Sequence, residues 1–585
     1  MRPLRDATAL AVTVLFSRIA LAEDAASPAP APAPTEIQVS ADPPPPEFDP
    51  PPSVSPQYPA RLVEPWSDAD PPAPMQRHAI GEMGVRAGLE YRAQLLHINN
   101  LSPTTETARN LEWLEHRLRA DATVDYRDKV KVVFSADMLD GAVWGDNGSL
   151  FGGPPPNSGA NINARSPNTT APCVTYRAGD PLDSNSYGYG LCAGNQLMVR
   201  RAYGEVALPV GVLRVGRMGV NEGVGVQAAD GDGRPNRFGI SRTGSIVDRA
   251  LFATKPLEAF KPPALRDTSA ERGVFLGLLY DRLVTDSPQA FGDDVQQVAA
   301  SVRLLAPKHA LGSDLHASLF LVHRWATGST INGVGVRAYS TFGHFRAGVD
   351  GALNTGSTRE ISEAYQKISN DPPSDQSILQ GGFRGVMRYD HKLFSLYLES
   401  DYASGSDDPR ARATLSQFLW AEDTNVGLLL FKHVLAFQTA RAAAAGTELL
   451  HRLGATQFPT TAIDTRGGLT NAVTIFPQAD FRPHRDVLIR AGVLFAWTAT
   501  PLINPIASLQ ARGSVDYRDD LVNFAGGKPG TYYGTELDAR FQWRFLDHFI
   551  FDLEGAVLFP GSALQNKDGY AVRSYMTQAR TTFFF

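Results

Sequence analysis

The 585-residue chain has only two cysteines, Cys173 and Cys192. Beyond its first residues it has no apolar run of the about 20 residues that a helix needs to cross a bilayer. The first scarcity excludes a disulfide-built or thiolate-metal scaffold. The second excludes a helical membrane protein. Excess charge of one sign is also missing: 55 Lys and Arg stand against 61 Asp and Glu, a net of −6, which gives nucleic acid no electrostatic footprint. No HExxH, GxSxG or glycine-rich phosphate loop occurs, and the 12 His are scattered. The chain is therefore read as a non-enzyme that holds no cofactor and no catalytic metal.

What is present begins with a secretory pattern over residues 1–22. Arg2 and Arg5 precede a short apolar core, and Ala20 and Ala22 provide small residues for cleavage before Glu23. Residues 23–78 are rich in Pro and Ala, as in SPAPAPAPTE and ADPPPPEFDPPPSVSP. Such a segment buries no core and favours extended, solvated backbone; it is expected to be a disordered periplasmic leader. In an exported protein, Cys173 and Cys192, close together in one Gly/Pro/Asn/Ser-rich stretch, are expected to pair in an external loop.

From residue 79 to 585 the chain alternates apolar and polar residues in segment after segment. Successive strand side chains point to opposite faces. Residues 532–545 put Tyr533, Leu537, Ala539, Phe541, Trp543 and Phe545 on one face, with Glu536, Asp538, Arg540, Gln542 and Arg544 on the other. Residues 85–95 set Arg86, Glu90, Arg92 and Gln94 against Val85, Leu89 and Tyr91, and residues 113–126 set Arg117, Arg119 and Asp121 against Leu114, Leu118 and Val124. The same alternation is read at 342–353, 381–390, 393–403, 487–498 and 508–518. It turns Arg346, Asp350, Arg384, Arg388, Asp390, Glu399, Asp401, Arg490, Arg512, Asp516 and Arg518 inward. A charge facing lipid at mid-depth is costly, so charged faces on most strands imply an interior that is hydrated or cross-linked by ion pairs. The predicted fold is all-β: a transmembrane antiparallel β-barrel of about 18 strands, with 16 as the alternative. Short turns such as 209–211 and 546–548 are assigned to one rim. Long loops near 145–196, 286–294, 356–377 and 405–415 are assigned to the other.

Two segments break the pattern. Residues 216–249 are glycine-rich and hold Asp230 and Asp232, but Arg234 stands where a third Ca²⁺ ligand belongs and no Glu closes the loop. This stretch is read as a compact loop and no metal is assigned. Residues 425–445 place Val426, Leu429, Leu430, His433, Val434 and Phe437 at helical spacing. They predict a loop helix at the rim or in the lumen, with a strand as runner-up and His433 as a packed side chain.

The last residues, SYMTQARTTFFF, end on Phe585. They resemble the C-terminal strand of bacterial outer-membrane barrels, which implies recognition by the outer-membrane assembly machinery. GTELDARFQWRF, then LEGAVLFPG, and GRMGVNEGVG earlier in the chain, resemble the alginate-export and porin-like superfamily of outer-membrane barrels. Together with DGDGRPNRFG, the glycine-rich part is also similar to an uncharacterised myxobacterial-type family with Pro-rich leaders. The resemblance implies an 18-stranded barrel that carries polar or anionic solutes, and it matches Arg217, Glu536 and Asp538. The charges read as inward are mixed, unlike an arginine-lined pore for polyuronates. The expected function is an outer-membrane channel for diffusion or export of small polar or charged solutes, saccharides among them. The alternative is a closed structural or surface-binding barrel. Outer-membrane lipid and such solutes are the expected partners.

Overall fold

A computed structural model describes residues 78–104, 110–127, 129–145, 197–220, 226, 236–240, 245–285, 295–310, 312–421, 424–454, 463–545 and 548–585. The signal pattern, nearly all of the leader, Cys173, Cys192, Asp230 and Asp232 lie outside these residues. The strands are β1 (His78–Ile80), β2 (Met83–Asn99), β3 (Asn110–Tyr126), β4 (Val130–Gly145), β5 (Leu197–Leu208), β6 (Gly211–Gly219), β7 (Ile246–Thr254), β8 (Gly273–Thr285), β9 (Gln296–His309) and β10 (Gly312–Ala326). They continue with β11 (Ser329–Phe342), β12 (Phe345–Thr358), β13 (Gln376–Asp390), β14 (Phe394–Ala403), β15 (Ala472–His484), β16 (Val487–Trp497), β17 (Tyr532–Phe545), β18 (Phe549–Pro560) and β19 (Ser574–Phe584). Each pairs antiparallel with the next, and β19 pairs back with β2, so β2 to β19 close an 18-stranded barrel. At the seam Tyr575 stands opposite Asn99 and Phe584 opposite Glu90. Phe585 finishes the closure by exchanging two backbone hydrogen bonds with Leu89, 2.8 and 2.9 Å. The short β1 pairs with Met83–Val85, just past that point.

The alternation reads out as expected except at Tyr533, which a register irregularity beside Gly534 turns inward, where it is buried. On β17, Leu537, Phe541, Trp543 and Phe545 are exposed on the outer wall, whereas Glu536 and Asp538 are buried inside. Aromatic side chains gather near both ends of the wall. Trp543, Phe545, Phe549 and Phe583 cluster by the turns, and Phe495, Trp497 and Tyr532 cluster toward the long loops. An apolar band between two aromatic girdles is the outer surface of a membrane-spanning barrel.

One expected strand is corrected. Residues 508–518 form no strand; they belong to the β16–β17 loop. There a helix, Pro505–Ala511, starts from Asn504, whose side chain accepts a hydrogen bond from the Ala507 amide, with Pro505 at the first helical position. Local capping wins over a weak two-residue alternation. Arg512 and Asp516 thus sit in a loop: Arg512 pairs with Asp371 at 3.0 Å, and Asp516 caps a short turn through the Arg518 amide. The stretch 216–249 is also more than a loop, because its two ends belong to β6 and β7. The helix predicted over 425–445 is present from Leu430 on, after a turn at 427–429: a π-turn, Leu430–Leu435, runs into the helix Ala436–Arg452.

Candidate functional site: the barrel lumen

The inner wall is laced by ion pairs that follow from strand register. Arg490 and Asp480 are cross-strand partners and form a two-pronged pair at 2.7 and 3.0 Å. Asp552 pairs with Arg540 at 2.7 Å and Arg580 at 3.0 Å, and Arg580 reaches Glu554 at 3.1 Å. Arg384 joins Asp401 and Glu399, and its guanidinium lies 4.8 Å from the centre of the Trp420 ring. Around the wall, Arg119 and Arg200 share Asp137, Arg117 binds Glu90, and Arg249 binds Asp281. Planar guanidinium–carboxylate pairs are the geometry in which buried charge is tolerated.

Two segments fold into the lumen. Residues 236–240 hang between β6 and β7 and dock on the inner faces of β14 to β18. The Arg237 guanidinium donates to Gln478 at 2.6 Å and Asp480 at 2.8 Å, and it lies 4.0 Å from the Tyr397 ring centre. Its carbonyl accepts from Arg490 at 2.6 Å and Arg540 at 3.0 Å. The Gly239 amide donates to Glu554 at 2.8 Å. Gly239 has φ +67°, and a Cβ there would meet Asn425 Nδ2 at 2.6 Å, so glycine is required twice over.

The second segment is the β14–β15 connection. Its helical start is pinned by Glu536, whose carboxylate accepts from the amides of Leu428, Leu429 and Leu430 at 2.7, 2.7 and 2.6 Å. These are orphan donors of a helix start, and a carboxylate answers both them and the helix dipole. Gly427, at φ +70°, lets the chain pass close to Glu536. Leu428, Leu429, Leu430, Phe431, Val434 and Phe437 then pack on inward Leu494, Tyr533, Leu558 and Met576. His433 is packed among them, and burial, with the Lys432 charge, holds its imidazole down at about 3.

The luminal wall therefore has two halves. Along β15 to β19, inward Asp480, Arg490, Glu536, Glu554 and Arg580 are buried under the two segments. Along β9 to β12, inward Ser301, Arg303, His316, Ser318, Arg324, Arg346 and Asn354 keep part of their surface accessible, beside inward Gln297, Arg337, Tyr339 and Asp350, which are buried.

Of the residues singled out from sequence, Arg86, Glu90, Arg92, Arg117, Arg119, Asp121, Arg384, Arg388, Glu536, Asp538, Arg540 and Arg544 stand on inward-facing strand positions. The lumen does not bring them into one cluster. Arg86 faces Asp125 and Arg388 pairs with Asp390, each with a local partner. Sequence reasoning missed Arg237, the residue that ties the inward segment to the far wall. Its signal was the run PNRFG inside a glycine-rich stretch, where an Arg–aromatic–Gly triplet departs from a solvated loop. Alternation also turns Asp480 and Arg580 inward, where the structure buries both.

No family model matches the chain and no curated protein matches it. Among solved structures it is similar to Pseudomonas aeruginosa OccK2 (OpdF), with TM-score 0.42 and 9% identity over 86% of this chain and 97% of that one. It is similar to Acinetobacter baumannii OccAB1, with TM-score 0.44 and 8% identity over 86% and 96%. A BenF-like porin from Pseudomonas fluorescens Pf-5 gives TM-score 0.44 and 9% identity over 86% and 99%.

Proposed function

We propose that the protein is a bacterial outer-membrane channel through which small polar or charged solutes diffuse. The observation that carries this reading is the asymmetry of the lumen. A buried, ion-paired half holds the inward segments, and the half along β9 to β12 keeps polar side chains accessible. Water and solute run along that second half. Arg303, His316, Ser318 and Arg324 offer donors to hydroxyl and carboxylate oxygens there. Arg303, Arg324 and Arg346, accessible there, are of one sign, and fixed positive charge favours anionic solutes. The resemblance of residues 534–545 to alginate-export barrels makes acidic saccharides one solute class to try.

A second reading rests on the apolar packing of 428–437. If that plug seals the lumen from rim to rim, the barrel is closed and serves structure or surface binding. Planar-bilayer recordings separate the two. A Cys at Ser318 should let a charged thiol reagent lower conductance severalfold, and a Cys at Thr474, buried by the inward segments, should not. Absence of any conductance in the wild-type protein refutes the channel and favours the closed barrel.

A further inference from the structure

The outer wall over β5 to β8 does not suit lipid. Between the aromatic girdles an outward face should be apolar. Here Arg217 and Asp248, cross-strand partners on the outside, form a two-pronged ion pair at 2.9 and 3.1 Å. Both remain partly exposed, 34% and 45% of the side chain. Arg282 is the next residue in register, opposite Asp248 on the same face. At about 3.3 Å per residue and about 40° of strand tilt, Arg217 stands ~15 Å above the turn at Gly211, well inside the apolar band. Around this row several outward residues are small: Ala202 lies opposite Arg217, Gly204 opposite Val215, and Ala250 opposite Val215 on the other side, with Val215 and Tyr280 the larger outward neighbours. β6 and β7, nine residues each, are shorter than the other strands of the barrel.

Directly below, the β7–β8 connection departs from the other connections on that rim. Those at 209–210, 343–344, 391–393 and 485–486 are tight turns. Residues 255–272 instead build a knob containing α1 (Pro256–Ala259). Arg266 staples it by donating to the carbonyls of Lys261, Ala259 and Pro209, the last in the neighbouring β5–β6 turn. Asp267 holds Arg272 at 2.9 Å and Lys255 at 3.4 Å. The stapled knob presents Leu257, Phe260 and Leu265 to the outside at 64%, 91% and 71% exposure. A rigid loop that spends its hydrogen bonds displaying apolar side chains is a contact surface in waiting.

We propose that the outer face of β5 to β8, with its knob, is where a second copy of this chain docks side by side in the membrane. The row Arg217, Asp248, Arg282 carries both signs. A like face turned by a two-fold axis along the membrane normal can therefore set Arg217 of one copy against Asp248 of the other. The small residues let the two walls approach, and the knobs meet beneath them. Neither acyl chains nor anionic headgroups ask for a paired Arg and Asp at this height.

Native mass spectrometry of the full chain, released from membranes into a mild detergent, tests this. The wild type should give a dimer. Ala250→Trp should lower the dimer fraction at least tenfold while keeping the gel shift between unboiled and boiled samples that marks a folded barrel, because a Trp facing lipid is harmless. Arg217→Ala should do the same. Ala579→Trp, on the outer face of β19, should leave the dimer intact. A monomeric wild type, or a dimer that survives Ala250→Trp, overturns the proposal. So does a monomer carrying anionic phospholipid that Arg217→Ala loses, which would make the patch a lipid site.

Discussion

At the scale of single residues, the lumen is organised by a few side chains that answer several partners each. Glu536 takes three amide donors from the start of the luminal helix, and each bond to a charged group contributes about 1.5–3 kcal/mol. Glu536→Gln keeps one acceptor oxygen and removes the charge. It should destabilise the docking of residues 428–452 by about 2 kcal/mol, read as faster amide exchange there while the barrel strands stay protected. Unchanged exchange would mean that the apolar contacts of Leu430 and Phe431 hold the helix alone. Gly239 is the other residue without a substitute. Gly239→Ala adds a Cβ against Asn425 at a backbone angle that an L-residue resists. The expected outcome is release of residues 236–240 from Gln478 and Asp480 and a wider channel, seen as a larger single-channel conductance.

At the scale of elements, capping and ion pairs decide what alternation cannot. The knob at 255–272 is built without a core of its own, so its shape depends on charge. Hydrogen bonds from Lys261 and from the Asp267 amide hold the Glu258 carboxyl below its usual range. The Ser269 amide and then Arg272 do the same for Asp267. Folded values below unfolded ones mean that the stabilisation is complete above the unfolded values, about 4. It is lost as pH falls through the folded ones. Protection factors for the amides of 256–272, exchange relative to the intrinsic rate at each pH, should therefore be high at pH 6 and fall below about pH 4, with the neighbouring strands unaffected. A flat profile would show that Arg266, which grips only carbonyls, is enough to hold the knob.

At the scale of the whole molecule, the barrel stands because its first and last strands find each other. Phe585 adds the final two backbone hydrogen bonds to Leu89, and its own side chain stays exposed. Deleting Phe585 should cost the folded barrel little. It should reduce assembly severalfold, measured as the heat-shifted band in the outer-membrane fraction, more than deleting the Pro-rich leader does. Equal assembly of the two variants would remove the terminal strand from the recognition step.

The sequence by itself determined the barrel. A period of two is a local property, and the cost of a charge in lipid decides which face turns inward, so strands such as Tyr532–Phe545 and Ser574–Phe584 could be read with little error. Helical spacing likewise revealed the luminal helix, because five apolar residues and His433 at the right intervals need no partner to be seen. Only the tertiary structure decided what fills the barrel. Arg237 meets Asp480, and Leu428 meets Glu536, across more than a hundred residues of chain, and no local pattern encodes a contact made across a lumen. The same limit explains the misread 508–518, where one Asn cap and one Pro outweighed a short alternation. It also explains why the outward Arg217 could be matched as a motif yet not placed: whether a strand charge faces water, lipid or another wall is settled only when the strands have closed.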